Sequence, residues 1–295
     1  MSGPVASVIV STYNQPAWLA LCLTGFAHQD ARDFELIVVD DGSRDDTRAL
    51  LDARRGELPF GLRHVWQEDL GFRKCRALNL GILAARSEYL IFTDGDCVPR
   101  RDFVSAHLRL RERGRFLGGG YCKLPKSVSD RIDDEAIATG LHCDTGWLIA
   151  QGLPRKQRSL KLWARPGWRE SLLNAATPTP PRWSGNNASG WREDLVRANG
   201  FDERMTYGGE DLELGERLRN AGVRGKQVRF AAICVHLDHP RGYVEPGMRT
   251  ANEKIRVATR TTRATRTEYG LDQHANTLIT GLPSPRLRGE GAKGG

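Results

Sequence analysis

The sequence predicts an α/β fold, a mostly parallel central sheet flanked by helices, with a basic C-terminal extension. Three observations carry that prediction. Short apolar runs rich in branched residues recur at 5–12, 34–39, 62–66 and 89–92 and read as buried strands. Segments with apolar residues at helical spacing lie between them, as a parallel sheet covered on both faces requires. Three of the runs lead directly into polar turns, Thr12-Tyr13-Asn14, Asp40-Asp41-Gly42 and Asp94-Gly95-Asp96. Open α/β sheets bind their ligands outside the carboxyl ends of the strands, so these turns mark the functional edge.

Taken in order, the first strand gives way at Pro16 to a helix with Leu19, Cys22, Leu23 and Phe26 on one face. Ser43, with Asp46 three residues on, has the pattern of a capping box opening a helix through Leu50 and Leu51. After the strand at 62–66, Cys75, Leu78, Ile82 and Ala85 define a helix over 71–86, with Arg73, Lys74 and Arg76 at its start. A helix start lined with cations is a natural anion site. Helices are expected at 101–113 and 130–141, with one strand at 116–124 in which Gly118, Gly119 and Gly120 imply close backbone approach. The segment 151–173 mixes basic residues with Leu160, Leu162, Trp163 and Trp168; it suits a membrane surface, an acceptor groove or a helix packed on the core. Beyond a break at Pro178, Pro180 and Pro181, a short helix ends at Gly200 and a second, with Leu214, Leu218 and Ala221, is capped at Gly222. A final strand is expected at 228–235, a basic helix at 252–268 and disorder at 282–295.

The 295 residues suffice for a sizeable core, and no apolar run approaches the roughly 20 residues of a membrane span. Six scattered cysteines without a C-x-x-C pair, and no basic-then-apolar start, suit a reducing cytosol. The expected location is cytoplasmic, with peripheral contact at the inner membrane face left open. The formal charge of +8 favours anionic partners such as nucleotide diphosphates or acidic surfaces. It gathers in two clusters, Arg155, Lys156, Arg158, Lys161, Arg165 and Arg169, and Arg241, Arg249, Lys254, Arg256, Arg260, Arg263 and Arg266. Each cluster also fits a solvated face.

The chemistry concentrates in carboxylates. Asp94 and Asp96 on one tight turn repel each other unless a cation lies near, and hard divalent ions such as Mg2+ or Mn2+ suit them. Glycine-rich dinucleotide and P-loop signatures are absent, so a diphosphate here needs a metal. Gly208-Gly209-Glu210-Asp211 sets two carboxylates at a helix start, where one can act as a general base. His236 and His239 follow a late strand, and either could join Asp96 on a metal. Each piece alone also has a plain reading as a solvated turn, a cap or a polar histidine.

In this order, however, the pieces resemble the family 2 inverting glycosyltransferases with the GT-A fold. Residues 8–14, 37–43 and the Asp94-Gly95-Asp96 triplet match the nucleotide-binding half, and 186–218, centred on Gly209-Glu210-Asp211, resembles the galactosyltransferase-like C-terminal motif. The resemblance implies that Thr12, Asn14 and Asp41 contact the nucleoside, Arg73 the ribose or diphosphate, and Asp94 the ribose. It places Asp96 on the metal with His236, or with His239 in its stead. Asp211 becomes the catalytic base and Glu210 a ligand of a sugar hydroxyl, with Asn186, Asn187 and Gly209 lining the sugar pocket. Tyr207 stands where a tryptophan is frequent. The implied organisation is a GT-A domain over 1–240 (nucleotide half 1–124, acceptor half 125–240), a basic helical extension 241–281 and a tail 282–295. The implied reaction moves a hexose or N-acetylhexosamine from a UDP-sugar to a glycan or lipid-linked acceptor with inversion, assisted by Mn2+ or Mg2+ and without nucleic acid. A sugar-nucleotide nucleotidyltransferase and a non-catalytic glycan- or nucleic-acid-binding protein are the alternatives.

Overall fold

The computed structural model describes residues 3–155, 160–164, 166–240 and 242–274. Lys156, Arg158, Arg165 and Arg241 of the basic clusters, and the tail from 275 onward, lie outside the described residues. The element order is β1 (Ala6–Thr12), α1 (Pro16–Ala27), β2 (Phe34–Asp40), α2 (Asp45–Arg55), β3 (Gly61–Trp66), α3 (Lys74–Ala84), β4 (Tyr89–Asp94), β5 (Cys97–Pro99), α4 (Phe103–Leu110), β6 (Arg115–Gly118) and β7 (Gly120–Lys123). Four short helices follow, α5 (Lys126–Ser129), α6 (Asp134–Ala138), α7 (Thr145–Ala150) and α8 (Leu160–Trp163). The chain continues through α9 (Trp168–Ala176), β8 (Ala188–Trp191), α10 (Arg192–Arg197), α11 (Glu210–Asn220), β9 (Arg224–Gln227), β10 (Ile233–His236) and α12 (Met248–Thr262).

The main sheet has seven strands in the order β3-β2-β1-β4-β8-β6-β9. The first four are parallel, and the register Ser11↔Val39 and Ser11↔Asp94 brings the ends of β1, β2 and β4 to one edge. Because side chains alternate across a strand, Ile9, Ile37, Val39 and Phe92 feed a core under α3 and α11, while Val8, Val10, Leu36 and Val38 pack against α1 and Phe103 of α4. Burying each of these side chains contributes about 1.5–3 kcal/mol. β8 runs antiparallel to both β4 and β6, which makes the sheet mixed beyond β4. A second sheet, β5-β10-β7, stands behind the end of β4.

Four sequence expectations are corrected. The run 116–124 is two strands in two sheets. The chain switches at Gly119, where an added Cβ would meet Asn187 Oδ1 at 2.0 Å and where the N–H donates to the Asn187 carbonyl. The expected strand at 228–235 begins only at Ile233. Val228, Ala231 and Ala232 are buried instead by a turn that packs them against Ala106 and Leu117. The expected helix at 130–141 is broken at Asp133, whose carboxylate caps Ala136 N–H of α6 at 2.8 Å. Ser43 does not cap α2, because its hydroxyl accepts the Asn14 N–H at 2.7 Å.

Residues 242–274, set apart in the sequence as an extension, pack onto the same body. Thr259 of α12 donates to the buried Glu213 of α11 at 2.8 Å, and Arg256 pairs with Glu216. Glu213 in turn holds the buried Arg217. In the basic segment, Leu162 is buried, whereas Trp163, Trp168 and Leu172 are exposed. No cysteine among the described residues is in a disulfide, and no described helix is long and apolar enough to cross a membrane.

Candidate active site

A cavity of about 260 Å3 opens at the carboxyl ends of β1, β2 and β4, lined by Thr12, Asp41, Lys74, Asp94, Asp96 and His239 among others. The turn after β4 closes its floor, since Gly95 N–H donates to Ser11 carbonyl at 2.8 Å and a Cβ there would crowd that oxygen at 3.2 Å. At the β2 end, Asp41 accepts the Arg73 N–H at 2.8 Å and the Gln67 amide. Burial pushes the Asp41 carboxyl up to about 6, against the pull of those two donors. The neighbouring Thr12 hydroxyl is buried without a hydrogen-bond partner among the described residues, an orphan that a ligand in the cavity could satisfy.

Beside this pocket, Asp96, His236 and His239 bring one ligand atom each within 4.8 Å of one another. His239 Nε2 lies 2.6 Å from Asp96 Oδ2, and His236 Nε2 lies 3.5 Å away. His239 Nδ1 is 2.8 Å from the Pro240 carbonyl, which can only accept, so Nδ1 carries a proton; Nε2 faces the Asp96 carboxylate as a donor and would offer a lone pair to a cation only once it gives up its own proton. Burial opposes ionisation of Asp96, but the His239 hydrogen bond and the His236 charge outweigh it and hold the carboxyl below its ordinary value. One carboxylate with two imidazoles fits a divalent transition ion, Mn2+ better than Mg2+.

On the far side stand Glu210 and Asp211, in the first turn of α11 behind the left-handed Gly208 and Gly209 (φ 102 and 94). Glu210 accepts Gly208 N–H at 2.8 Å, and Asp211 accepts Gly185 N–H at 3.0 Å and Leu212 N–H at 2.7 Å. Burial raises both carboxyls above their ordinary values, with the Asp211 charge adding to the rise at Glu210. Lys74 joins the two halves of the site. Its ammonium donates to Asp94 Oδ1 at 2.6 Å, and Ser11 donates to the same oxygen at 2.6 Å. Burial works against its charge, but Asp94, Glu210 and Asp96 outweigh that and hold it above its ordinary value. A Cβ on Gly185 would lie 3.8 Å from Lys74 Nζ and 3.9 Å from Asp211 Oδ2, so the ammonium and the Asp211 carboxylate flank one glycine.

The structure thus gathers Thr12, Asp41, Asp94, Asp96 and His239 at one cavity and brings Glu210 and Asp211 up to it through Lys74. Other expected residues make contacts within the protein. Asn14 braces the β1 loop, accepting Arg44 N–H at 3.0 Å with φ 49. Arg73 meets Asp41 through its backbone N–H, while its guanidinium donates to the Glu68 carbonyl. Asn186 accepts the Ser184 hydroxyl at 2.7 Å, and its carbonyl takes the Thr93 hydroxyl at 3.0 Å. Asn187, expected to line a sugar pocket, is fully buried. Its amide donates to the Gly120 and Ala232 carbonyls at 2.8 and 3.0 Å, joining the two sheets. Two features were not singled out in the sequence. Lys74 was one of three cations at a helix start, and only the fold turns it inward. The wall formed by Tyr243, Glu245 and Met248 left no local signal.

Comparison with known proteins bears on the family and the fold. Residues 7–144 match the model of the family "Glycosyl transferase family 2", and residues 180–240 match "N-terminal domain of galactosyltransferase". Chondroitin synthase of Escherichia coli is 28% identical over 260 residues, covering 85% of this chain and 37% of that protein. The chain therefore spans little more than a third of that relative's length. Among solved structures, the mannosyltransferase PcManGT of Pyrobaculum calidifontis, in complex with GDP-Man and Mn2+, superposes with a TM-score of 0.54 at 22% identity, covering 95% of this chain and 69% of that one. TarS 1-349 of S. aureus in complex with UDP gives a TM-score of 0.54 at 17% identity, covering 93% and 70%. The chain thus carries the family 2 glycosyltransferase match over residues 7–144 and the galactosyltransferase match over residues 180–240, on a mixed sheet of the GT-A fold.

Proposed function

We propose that the chain transfers a hexose or N-acetylhexosamine from a UDP-sugar to a glycan or lipid-linked acceptor, with inversion and with Asp211 as the base. The observation that carries this reading is the continuity of the site: Lys74, which lines the cavity and donates to Asp94, flanks Gly185 together with the Asp211 carboxylate, so one ammonium stands between the cavity and the base. Asp41 and the Thr12 hydroxyl receive the base of the nucleotide, and Asp94 the ribose. The choice of uridine is ours, since the fold neighbours hold both GDP-Man and UDP.

Asp96 and His239, with His236 behind them, would hold Mn2+. When bound, that ion neutralises the charge that grows on the departing diphosphate. The chain's own groups do the rest. Backbone N–H groups of Gly185 and Leu212 orient the Asp211 carboxylate, and burial keeps it basic enough to take a proton from a sugar hydroxyl. Glu210 orients a sugar hydroxyl nearby. A single base on the face opposite the leaving group produces one displacement and inverted configuration, whereas a hydrolase of uncharged glycosides needs a second carboxylate as general acid.

The test is donor consumption. UDP-glucose, UDP-galactose and their N-acetylamino forms, together with GDP-mannose, are incubated with the protein with and without Mn2+. Metal-dependent release of UDP from at least one donor supports the reading. Release of GDP alone, or no release with any donor, overturns it.

A further inference from the structure

Resting on that reading, we propose that Arg249 makes the site select an acceptor sugar bearing a negative group, a carboxylate or a sulfate. Arg249 lies in the first turn of α12 and is exposed. Its side chain crosses the loop that opens α11, so that a Cβ on Gly208 would meet Arg249 Cγ at 2.9 Å and Nε at 3.5 Å. Gly208 is the residue whose N–H holds Glu210, so the Arg249 side chain lies on the loop that leads into the carboxylate pair.

The guanidinium stands 5.4 Å from the centre of the Tyr207 ring. That ring belongs to a cluster with Phe72 at 6.0 Å and Tyr243 at 5.7 Å, both of which line the cavity. Aromatic faces at the mouth of a sugar site offer apolar surface for the C–H face of a pyranose. A guanidinium stacked on a ring is weakly hydrated and keeps its planar fork for a carboxylate or sulfate.

Charge accounting assigns the anion to this place. Among the described residues, Arg249 has no carboxylate within ion-pair distance, whereas Arg256 and Arg260 of the same helix are taken by Glu216 and Glu253. Deeper in, Lys74 is already neutralised by Asp94, and Glu210 and Asp211 add further negative charge. An anionic group is repelled there and held at the rim. An acceptor anchored by its charge at Arg249 and by its ring at Tyr207 would present a hydroxyl toward Asp211.

The experiment compares methyl glucuronide, glucose 6-sulfate and methyl glucoside in two ways. Saturation-transfer NMR measures binding to the protein without turnover, and UDP-sugar consumption with Mn2+ measures their use as acceptors. The parent protein should prefer one or both anionic sugars by about tenfold, the discrimination a charge-assisted hydrogen bond supplies. Preference for glucuronide alone or for sulfate alone identifies the group. In Arg249→Gln the ratio should fall to about one through a higher acceptor KM, and Arg249→Lys should restore part of it. Equal binding of all three sugars, or binding of none, overturns the proposal. So does a loss in Arg249→Gln that falls on the donor KM, which would place this side chain on the diphosphate. Absence of donor consumption in every arm refutes the transferase reading instead, and the NMR ratio still decides the case for Arg249.

Discussion

The Lys74–Asp94 contact can be tested on stability alone. Nζ and Oδ1 are 2.6 Å apart, and the two side chains are 19% and 22% exposed. At an effective dielectric of about 20, unit charges at that separation attract by about 6 kcal/mol before desolvation is charged against them. Removing one member of a buried pair costs about 3–5 kcal/mol, because the other is left buried and uncompensated. The partial exposure of this pair points to the lower end, about 3 kcal/mol for Lys74→Met, or roughly 5 °C in Tm for a chain of this size. Lys74 also offsets Glu210 and Asp96, so its removal should cost more than Asp94→Asn does. The assay is a double-mutant cycle in urea with Lys74→Met, Asp94→Asn and the pair. A coupling energy of about 2 kcal/mol is expected. Additivity within about 0.5 kcal/mol would refute the idea that this contact joins the two halves of the site.

Three further outcomes follow from the same geometry. Asp41 is raised from 3.8 to about 6, so the folded protein holds its proton more tightly than the unfolded chain does; this group's stability contribution therefore improves as pH falls from about 6 toward 4. A base contact needs the ionised acceptor, so the donor KM should rise as pH drops through about 6, and Asp41→Asn should flatten the profile; parallel profiles would contradict the assignment. His239→Ala should weaken Mn2+-dependent UDP binding by at least about tenfold, and His236→Ala by less, because its Nε2 is 3.5 Å rather than 2.6 Å from Asp96; calorimetric titration of UDP with Mn2+ checks the order, and the reverse order would contradict it. Arg217→Met strands the buried Glu213 and frees the Ala198 and Gly200 carbonyls, which should cost about 3–5 kcal/mol and lower Tm by roughly 5–8 °C; a Tm within about 2 °C of the parent would contradict it.

The nucleotide half was legible because its signals are local. Branched apolar runs give buried strands, and the residues just past them, Thr12, Asp41, Asp94 and Asp96, must sit at the sheet edge whatever the rest of the chain does. The second half was less so. Ala188–Trp191 is too short and too small in side chain to announce a strand, yet it pairs with both β4 and β6. Asn187 looked like a polar pocket residue because sequence gives polarity and not depth; its amide is spent inside, between two sheets. Lys74 shows the opposite failure, a cation that the sequence leaves on a surface and the fold turns toward four carboxylates. Tyr243 reaches the cavity only because α12 docks on α11, a long-range contact that periodicity does not carry.

The most direct measurement separates binding from chemistry at Asp211. In Asp211→Asn, Mn2+-dependent affinity for UDP should stay within about threefold of the parent, because the cation ligands are untouched. Transfer from the preferred donor, measured in single turnover, should fall by about 10^2–10^4, the range a positioned general base supplies. Transfer at the parental rate, or UDP affinity lost together with transfer, would contradict the claim that the proton acceptor and the cation ligands are separate parts of one site.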